Sequence, residues 1–224
     1  MKKIEIKEFG GPEVLEIKNV DIGKPGQNEV LVKNLSIGIN YIDTYHRSGL
    51  YPIPLPSGIG LEACSIIEEV GSEVKLFKVG DRVTRASMPI GTYSEKQIIP
   101  EDKLVKVPDN ISDEVASCIT LKGITAEYLL HRTYQVKKGD KILYHAAAGA
   151  LGQIFCPWAN ALGAEIIGTV GSDEKIEIAK KNGCHHVINY NEKNFVEEVE
   201  KIVGKNGLDV VYDGVGAKTF EGSI

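Results

Sequence analysis

A short apolar strand that runs straight into a turn of small residues and then into a helix fits few folds. Lys141-Ile142-Leu143-Tyr144 has the apolar run of a buried strand. After His145, the segment Ala146-Ala147-Ala148-Gly149-Ala150-Leu151-Gly152 is built almost entirely of Ala and Gly. A helical pattern follows through Trp158-Ala159-Asn160-Ala161-Leu162 and closes at Gly163. Strand, small-residue turn and helix together form the phosphate-binding unit of a dinucleotide site. The turn lets backbone N–H groups approach a pyrophosphate, and the helix N-terminus offers it free donors and partial positive charge. Against the G-x-G-x-x-G pattern, Ala147, Gly149 and Gly152 hold the three glycine positions. Such a turn can also be a plain connection, so its surroundings matter.

The next segment supplies part of that context. Ala164-Glu165-Ile166-Ile167-Gly168-Thr169-Val170 reads as a second buried strand, ending in Gly171-Ser172-Asp173-Glu174-Lys175. An NAD site usually places an acid at the end of this strand, on the ribose 2′-OH. Here Gly171 and Ser172 leave room there and Lys175 adds a cation one helical turn on, which suits a 2′-phosphate. Asp173 argues the other way if it faces the ribose. Ser172 also suits a helix N-cap, with Asp173 and Glu174 favourable to the helix dipole and Lys175 merely solvated. NADP is the expected cofactor over NAD.

The α/β rhythm continues. A helix over 173–182 ends at Gly183, His186 to Tyr190 forms a third strand, Phe195 to Val203 is helical, and Leu208 to Asp213 is a fourth strand before Gly214-Val215-Gly216. Alternation of this kind implies a parallel sheet with right-handed crossovers. The common six-strand dinucleotide fold has about two further strand units, so the expectation is an incomplete Rossmann domain.

Residues 1–123 follow a different rhythm: β-branched runs separated by Gly and Pro, such as Glu29 to Lys33, Cys64 to Val70, Arg82 to Thr84 and Lys103 to Val107. These predict an antiparallel, barrel-like β domain. The change of rhythm at Leu121-Lys122-Gly123 divides the chain into 1–123 and 124–224. A net charge of −5 with interspersed signs leaves no nucleic-acid footprint. No apolar run is long enough to span a bilayer, and the alternating Met1 to Lys7 lacks a signal-peptide core. Cys64, Cys118, Cys156 and Cys184 are widely spaced with no CxxC, which fits a reducing cytoplasm and argues against a structural zinc cluster. His185 and His186, adjacent on a strand, point to opposite faces and do not suit joint metal binding.

Three further stretches carry a resemblance: Asn40-Tyr41-Ile42-Asp43-Thr44-Tyr45-His46-Arg47-Ser48-Gly49-Leu50-Tyr51-Pro52, Gly58-Ile59-Gly60-Leu61-Glu62 and Val79-Gly80-Asp81-Arg82-Val83. With Leu121-Lys122-Gly123-Ile124-Thr125 and the cofactor turn, they resemble the zeta-crystallin-type NADPH:quinone oxidoreductases of the medium-chain dehydrogenase/reductase superfamily. The resemblance runs from end to end. It implies a GroES-like β-barrel domain followed by a Rossmann domain, with fold class α/β and β. It implies NADPH as cofactor and a quinone or other small electrophilic acceptor as partner, while the composition points to the cytoplasm with no nucleic acid and no membrane. Zinc dehydrogenases of the superfamily carry Cys where this chain has Asn40 and His where it has Leu61, and neither an amide nor an isobutyl group replaces those ligands. No metal is therefore expected. A quinone needs no Lewis acid, because aromatisation drives hydride uptake once its ring is aligned with the nicotinamide.

The resemblance assigns roles residue by residue. Asn40, Asp43 and Tyr45 lie near the nicotinamide, Tyr45 reaching the quinone oxygen. Thr125 opens the linking helix on the nicotinamide side. Gly149, Ala150, Leu151 and Gly152 cradle the pyrophosphate. Ser172, Lys175 and Tyr190 surround the 2′-phosphate, and Val215 lies under the cofactor. The plain alternatives are wall packing for Tyr45, a turn for Asn40, a helix cap for Asp43 and an ordinary strand aromatic for Tyr190. Three departures from the family pattern set the remaining expectations. The sheet lacks its last strands and with them the family's homodimer contact. Pro157 stands inside the helix after the turn, at ~3 kcal/mol. Ala150 replaces a Gly and requires a negative φ. The expectation is a reductase impaired by truncation. The alternatives are an inactive remnant or split-gene fragment that at most binds nucleotide, and a reductase of enones or other activated alkenes.

Overall fold

The computed structural model describes residues 1–224. The chain forms two compact units, Met1–Leu121 and Lys122–Ile224. In the first unit, β1 (Lys2–Ile6), β2 (Glu16–Asn19) and β4 (Ser57–Gly58) make a three-stranded antiparallel sheet in the order β2-β1-β4. A five-stranded antiparallel sheet uses β3 (Glu29–Gly38), β5 (Glu62–Val70), β6 (Arg82–Ala86), β7 (Lys96–Pro100) and β8 (Val105–Lys106), in the order β7-β3-β5-β6-β8. The strand spanning Lys103 to Val107 is shorter than its composition suggests. Glu101–Lys103 closes into a 3₁₀ turn, leaving two residues of β8 to pair with β6. Val30, Val32, Ile67, Val83, Ile99 and Leu104 fill the core between the strands. Removing their apolar surface from water, at about 25 cal/mol per Å², is the main force closing this unit.

Helix α1 (Tyr41–Ser48) follows β3. It starts after Asn40, whose extended backbone suits an N-cap, and stops at Gly49, whose φ of +80° is the left-handed conformation that ends helices.

Helix α2 (Asp113–Tyr128) runs through the point where the two units divide. It corrects the placing of Thr125, which lies in the last turns of α2 rather than at the start of a helix. The start signal is Ser112, whose Oγ accepts the Val115 N–H at 3.3 Å and whose carbonyl accepts the Ala116 N–H. Gly123 does not break the helix.

In the second unit β9 (Lys141–Tyr144), β10 (Glu165–Val170), β11 (His186–Asn189) and β12 (Val210–Tyr212) form one parallel sheet in the order β11-β10-β9-β12. Helix α3 (Gly152–Ala161) joins β9 to β10, α4 (Ile176–Lys181) joins β10 to β11, and α5 (Phe195–Val203) joins β11 to β12. The expected helix over 173–182 divides into a 3₁₀ turn, Asp173–Lys175, and α4. A last short helix, α6 (Phe220–Ser223), follows. The sheet is covered on both faces, so its strands read as continuous apolar runs. Ile142, Tyr144 and Ile166 pack with Phe155, Cys156 and Ala159 of α3, while Leu143 and Ile167 face Phe195 and Val199 of α5. Phe155 stacks on Tyr144 at 4.4 Å and meets Tyr212 edge-on at 4.7 Å. No helix is long and apolar enough to cross a membrane.

Candidate functional site

In the second unit Gly149, Ala150, Leu151 and Gly152 follow the C-terminal end of β9, Ser172 and Lys175 that of β10 and Tyr190 that of β11, the side of an open parallel sheet where ligands bind. The turn between β9 and α3 is held by main-chain bonds: Ala147 N–H to Thr169 O at 3.0 Å and Gly149 N–H to Ala146 O at 2.8 Å. The amides of Ala150, Leu151 and Gly152 donate to no acceptor in the chain. Three consecutive free N–H groups at the head of a helix form a ready anion cradle. Gly152 is needed for packing: a Cβ there would lie 2.7 Å from Ala147 C and 2.9 Å from Ala147 Cα. That is the close helix-to-strand approach which the third glycine of the pattern permits. Ala150 has no positive φ, so its methyl group is accommodated. The strained residue is instead Ala146, at φ +58°, which nothing in the sequence marks.

At the end of β10, Gly171 lies against Tyr190, and a Cβ on Gly171 would be 3.0 Å from the Tyr190 hydroxyl. Asn191 Nδ2 donates to Gly171 O at 2.7 Å. Asp173 accepts from Asn189 Nδ2 at 2.8 Å. Ser172 stands at the N-cap position of the 3₁₀ turn and its hydroxyl is 3.3 Å from Glu174 Oε1. Lys175 is exposed and forms no ion pair. Beyond β12, Val215 is fixed by its N–H bond to Asp213 Oδ1 at 2.9 Å.

The first unit gathers a polar group around α1. Asp43 Oδ2 accepts the Asn40 N–H at 2.9 Å and the Tyr93 hydroxyl at 2.8 Å. Asn40 Nδ2 donates to Glu62 Oε2 at 2.9 Å, and Glu62 Oε1 accepts the Leu121 N–H at 2.7 Å. Asn40, Asp43 and Glu62 are all buried. Burial, and then the bond to Asp43, push the Tyr93 hydroxyl well above its ordinary range, so it stays protonated. Asp43 thus performs the capping role that the sequence left open. Tyr45 is not part of this group. It belongs to an aromatic row, 5.3 Å from Tyr41 and 5.2 Å from Tyr51, with Tyr41 and Tyr51 largely exposed. Tyr41, Tyr51 and Tyr93 went unassigned in the sequence because isolated tyrosines carry no spacing signal. Arg85 is buried without a carboxylate partner, spending its donors on Ser87 O, Pro89 O and Gln97 Oε1. Burial pulls its pKa down to about 10.

No group of three or more His, Cys, Asp or Glu side chains is placed to hold a metal. The Cys64 thiol is pushed up to about 11 by burial and by its bond to Asp113, the wrong direction for a thiolate ligand. Asn40 and Leu61 are both buried. A catalytic zinc ion does not fit these residues.

The Alcohol dehydrogenase GroES-like domain family matches residues 26–109, and the Zinc-binding dehydrogenase family matches residues 150–224. Quinone oxidoreductase of Pseudomonas aeruginosa is 49% identical over 224 residues, 100% of this chain and 69% of that protein. A crystal structure of Escherichia coli quinone oxidoreductase complexed with NADPH superposes with a TM-score of 0.97 at 49% identity, covering 100% of this chain and 69% of that one. The chain belongs to the quinone oxidoreductase family. Family membership covers both units, since the matches run the whole length of the chain. A 2-haloacrylate reductase from Burkholderia is 47% identical over 226 residues, covering 98% of this chain and 68% of its own length.

Proposed function

We propose that this chain is an NADPH-dependent reductase that passes hydride to a quinone, without zinc. The observation that carries the reading is the free amide trio of Ala150, Leu151 and Gly152 at the head of α3, in a chain so similar to a quinone oxidoreductase solved with NADPH. When bound, the dinucleotide supplies the hydride. The chain's own residues hold and select. The amide trio takes the pyrophosphate, with Gly149 keeping the turn open. Gly171 and Ser172 leave room at the ribose, and Lys175 and Tyr190 meet the 2′-phosphate. Asp173 Oδ1 is held by Asn189 Nδ2, which ties the acid to the end of β11. Val215 supports the cofactor, and Thr125 serves its nicotinamide side.

In the first unit, the row of Tyr41, Tyr45 and Tyr51 offers aromatic faces and phenolic hydroxyls to a flat quinone, Tyr45 donating to its oxygen. Asn40 and Asp43 fix the start of α1, and with it the position of Tyr45. A second reading, reduction of an activated alkene, is supported by the likeness to 2-haloacrylate reductase. A carboxylate substrate calls for an available cation. Arg85 is buried and already donates to Ser87 O, Pro89 O and Gln97 Oε1, which leaves it little freedom to turn to a carboxylate, and the quinone reading is kept first.

The test is single-turnover oxidation of NADPH by a simple benzoquinone in the presence of a chelator, with elemental analysis of the protein. Chelator-insensitive, quinone-dependent oxidation without stoichiometric zinc is expected. Oxidation of an alcohol by NADP⁺ that the chelator abolishes would overturn the reading.

A further inference from the structure

The roles above leave His145 unused, although it stands between β9 and the cofactor turn and is only 2% exposed. Both of its ring nitrogens are occupied. Nδ1 lies 2.8 Å from Thr169 Oγ1 and Nε2 lies 3.0 Å from Ser223 Oγ. Phe195 closes the ring edge-on at 5.0 Å. Asp213, the charged group at the far end of this chain of bonds, fixes their direction. Burial raises its carboxyl pKa, but the bonds from Gly216, Thr219, Val215 and Ser223 outweigh burial and hold it below the ordinary value. It is therefore ionised and only accepts. The Ser223 hydroxyl has two acceptors in reach, Asp213 Oδ2 at 3.1 Å and Thr219 O at 2.7 Å. Its single proton goes to one of them, so its oxygen accepts the His145 Nε2–H. Burial disfavours a second proton on the ring, so Nδ1 accepts from the Thr169 hydroxyl. The ring is uncharged, in the Nε2–H tautomer.

This chain of bonds joins two segments of the second unit. At one end, His145 N–H donates to Tyr212 O at 3.0 Å and the next residue is the strained Ala146. At the other, Asp213 Oδ1 gathers Val215 N–H at 2.9 Å, Gly216 N–H at 3.0 Å and Thr219 Oγ1 at 2.9 Å, which folds the loop after β12. We infer that His145 is a positioning residue for dinucleotide binding: through Ser223 it locks the Asp213–Gly216 loop to the cofactor turn. The inference rests on the nucleotide reading of this unit. A preformed loop spares the ordering cost that binding would otherwise carry.

Two amide variants separate this role from simple packing. In His145→Gln the side-chain NH₂ can take the place of Nε2–H and keep the Ser223 bond. In His145→Asn it reaches only toward Thr169. Two readouts are needed: the NADPH Kd by fluorescence titration, and hydrogen exchange at the Val215 and Gly216 amides. His145→Asn and Ser223→Ala should each weaken NADPH binding roughly three- to tenfold, the range for one lost hydrogen bond, and deprotect both amides. His145→Gln should restore much of both. Equal losses in Gln and Asn, or deprotected amides with an unchanged Kd, would overturn the role. If the unaltered chain binds no NADPH while both amides respond as described, the nucleotide reading fails and takes this role with it. Amides that do not respond would place the failure in the lock itself.

Discussion

Replacing Pro157 should stabilise the protein substantially. Pro157 is the sixth residue of α3, past the first turn where proline is tolerated, and it is exposed. It has no N–H for the Gln153 carbonyl, and its ring crowds that same carbonyl one turn back. The full penalty of an interior proline is about 3 kcal/mol. Because Gln153 is also exposed, water can meet its carbonyl and recover part of the loss. A gain of about 2–3 kcal/mol is therefore expected for Pro157→Gln or Pro157→Ala. The helix cannot escape the strain by moving, since Phe155, Cys156 and Ala159 are all buried against the sheet. For a chain of this size 1 kcal/mol corresponds to roughly 2–4 °C in Tm, so the midpoint should rise by roughly 4–12 °C. Thermal unfolding followed by circular dichroism measures it. An unchanged or lower Tm in both variants would show that α3 bears no strain at Pro157 and that the reasoning is wrong.

Ala146→Gly should also stabilise. A left-handed Ala costs about 1–2 kcal/mol, and the flexibility of an unfolded Gly returns about 0.5–1. A net gain of about 0.5–1 kcal/mol should appear in denaturant melts, and a loss would mean the turn is not strained there. His145 should make stability depend on pH. Burial lowers its pKa from the ordinary 6.5, opposed by Asp213, so the native state favours the uncharged ring. As pH falls below 6.5 the unfolded chain gains a proton that the native state resists, and stability declines until the lowered native pKa is reached. Urea midpoints at several pH values should show this decline, and His145→Gln should flatten it. An identical slope in both proteins would exclude His145 as its source.

Much of the second unit was legible in the sequence because periodicity and packing agree there. Ile142, Leu143, Ile166 and Ile167 form unbroken apolar runs because both faces of a parallel sheet are covered. Gly152 is a glycine because the Ala147 peptide leaves no space for a Cβ. What escaped was set by tertiary contact alone. The conformation of Ala146 has no glycine to announce it. Asp213 reads as an ordinary residue at a strand end, yet it organises the loop after β12 by accepting from the Val215 and Gly216 N–H groups and the Thr219 hydroxyl. In the first unit, Asn40 and Asp43 were singled out for chemistry, and the structure places both in the capping of α1. The extent of α2 was missed because the change of rhythm at Leu121-Lys122-Gly123 reads as a boundary with a helix starting after it, whereas inside a long helix the cost of Gly123, about 1 kcal/mol, is absorbed.

The central claim is that the head of α3 and the end of β10 form an NADPH site, and a fluorescence titration tests it most directly. The unaltered chain and Lys175→Ala would each be titrated with NADPH and with NADH. Saturable binding is expected with NADPH tighter than NADH. Lys175→Ala should weaken NADPH roughly five- to hundredfold, the span of a charge-assisted contact, and leave NADH nearly unchanged. Absence of binding for both nucleotides, or equal losses for both on removing Lys175, would contradict the account.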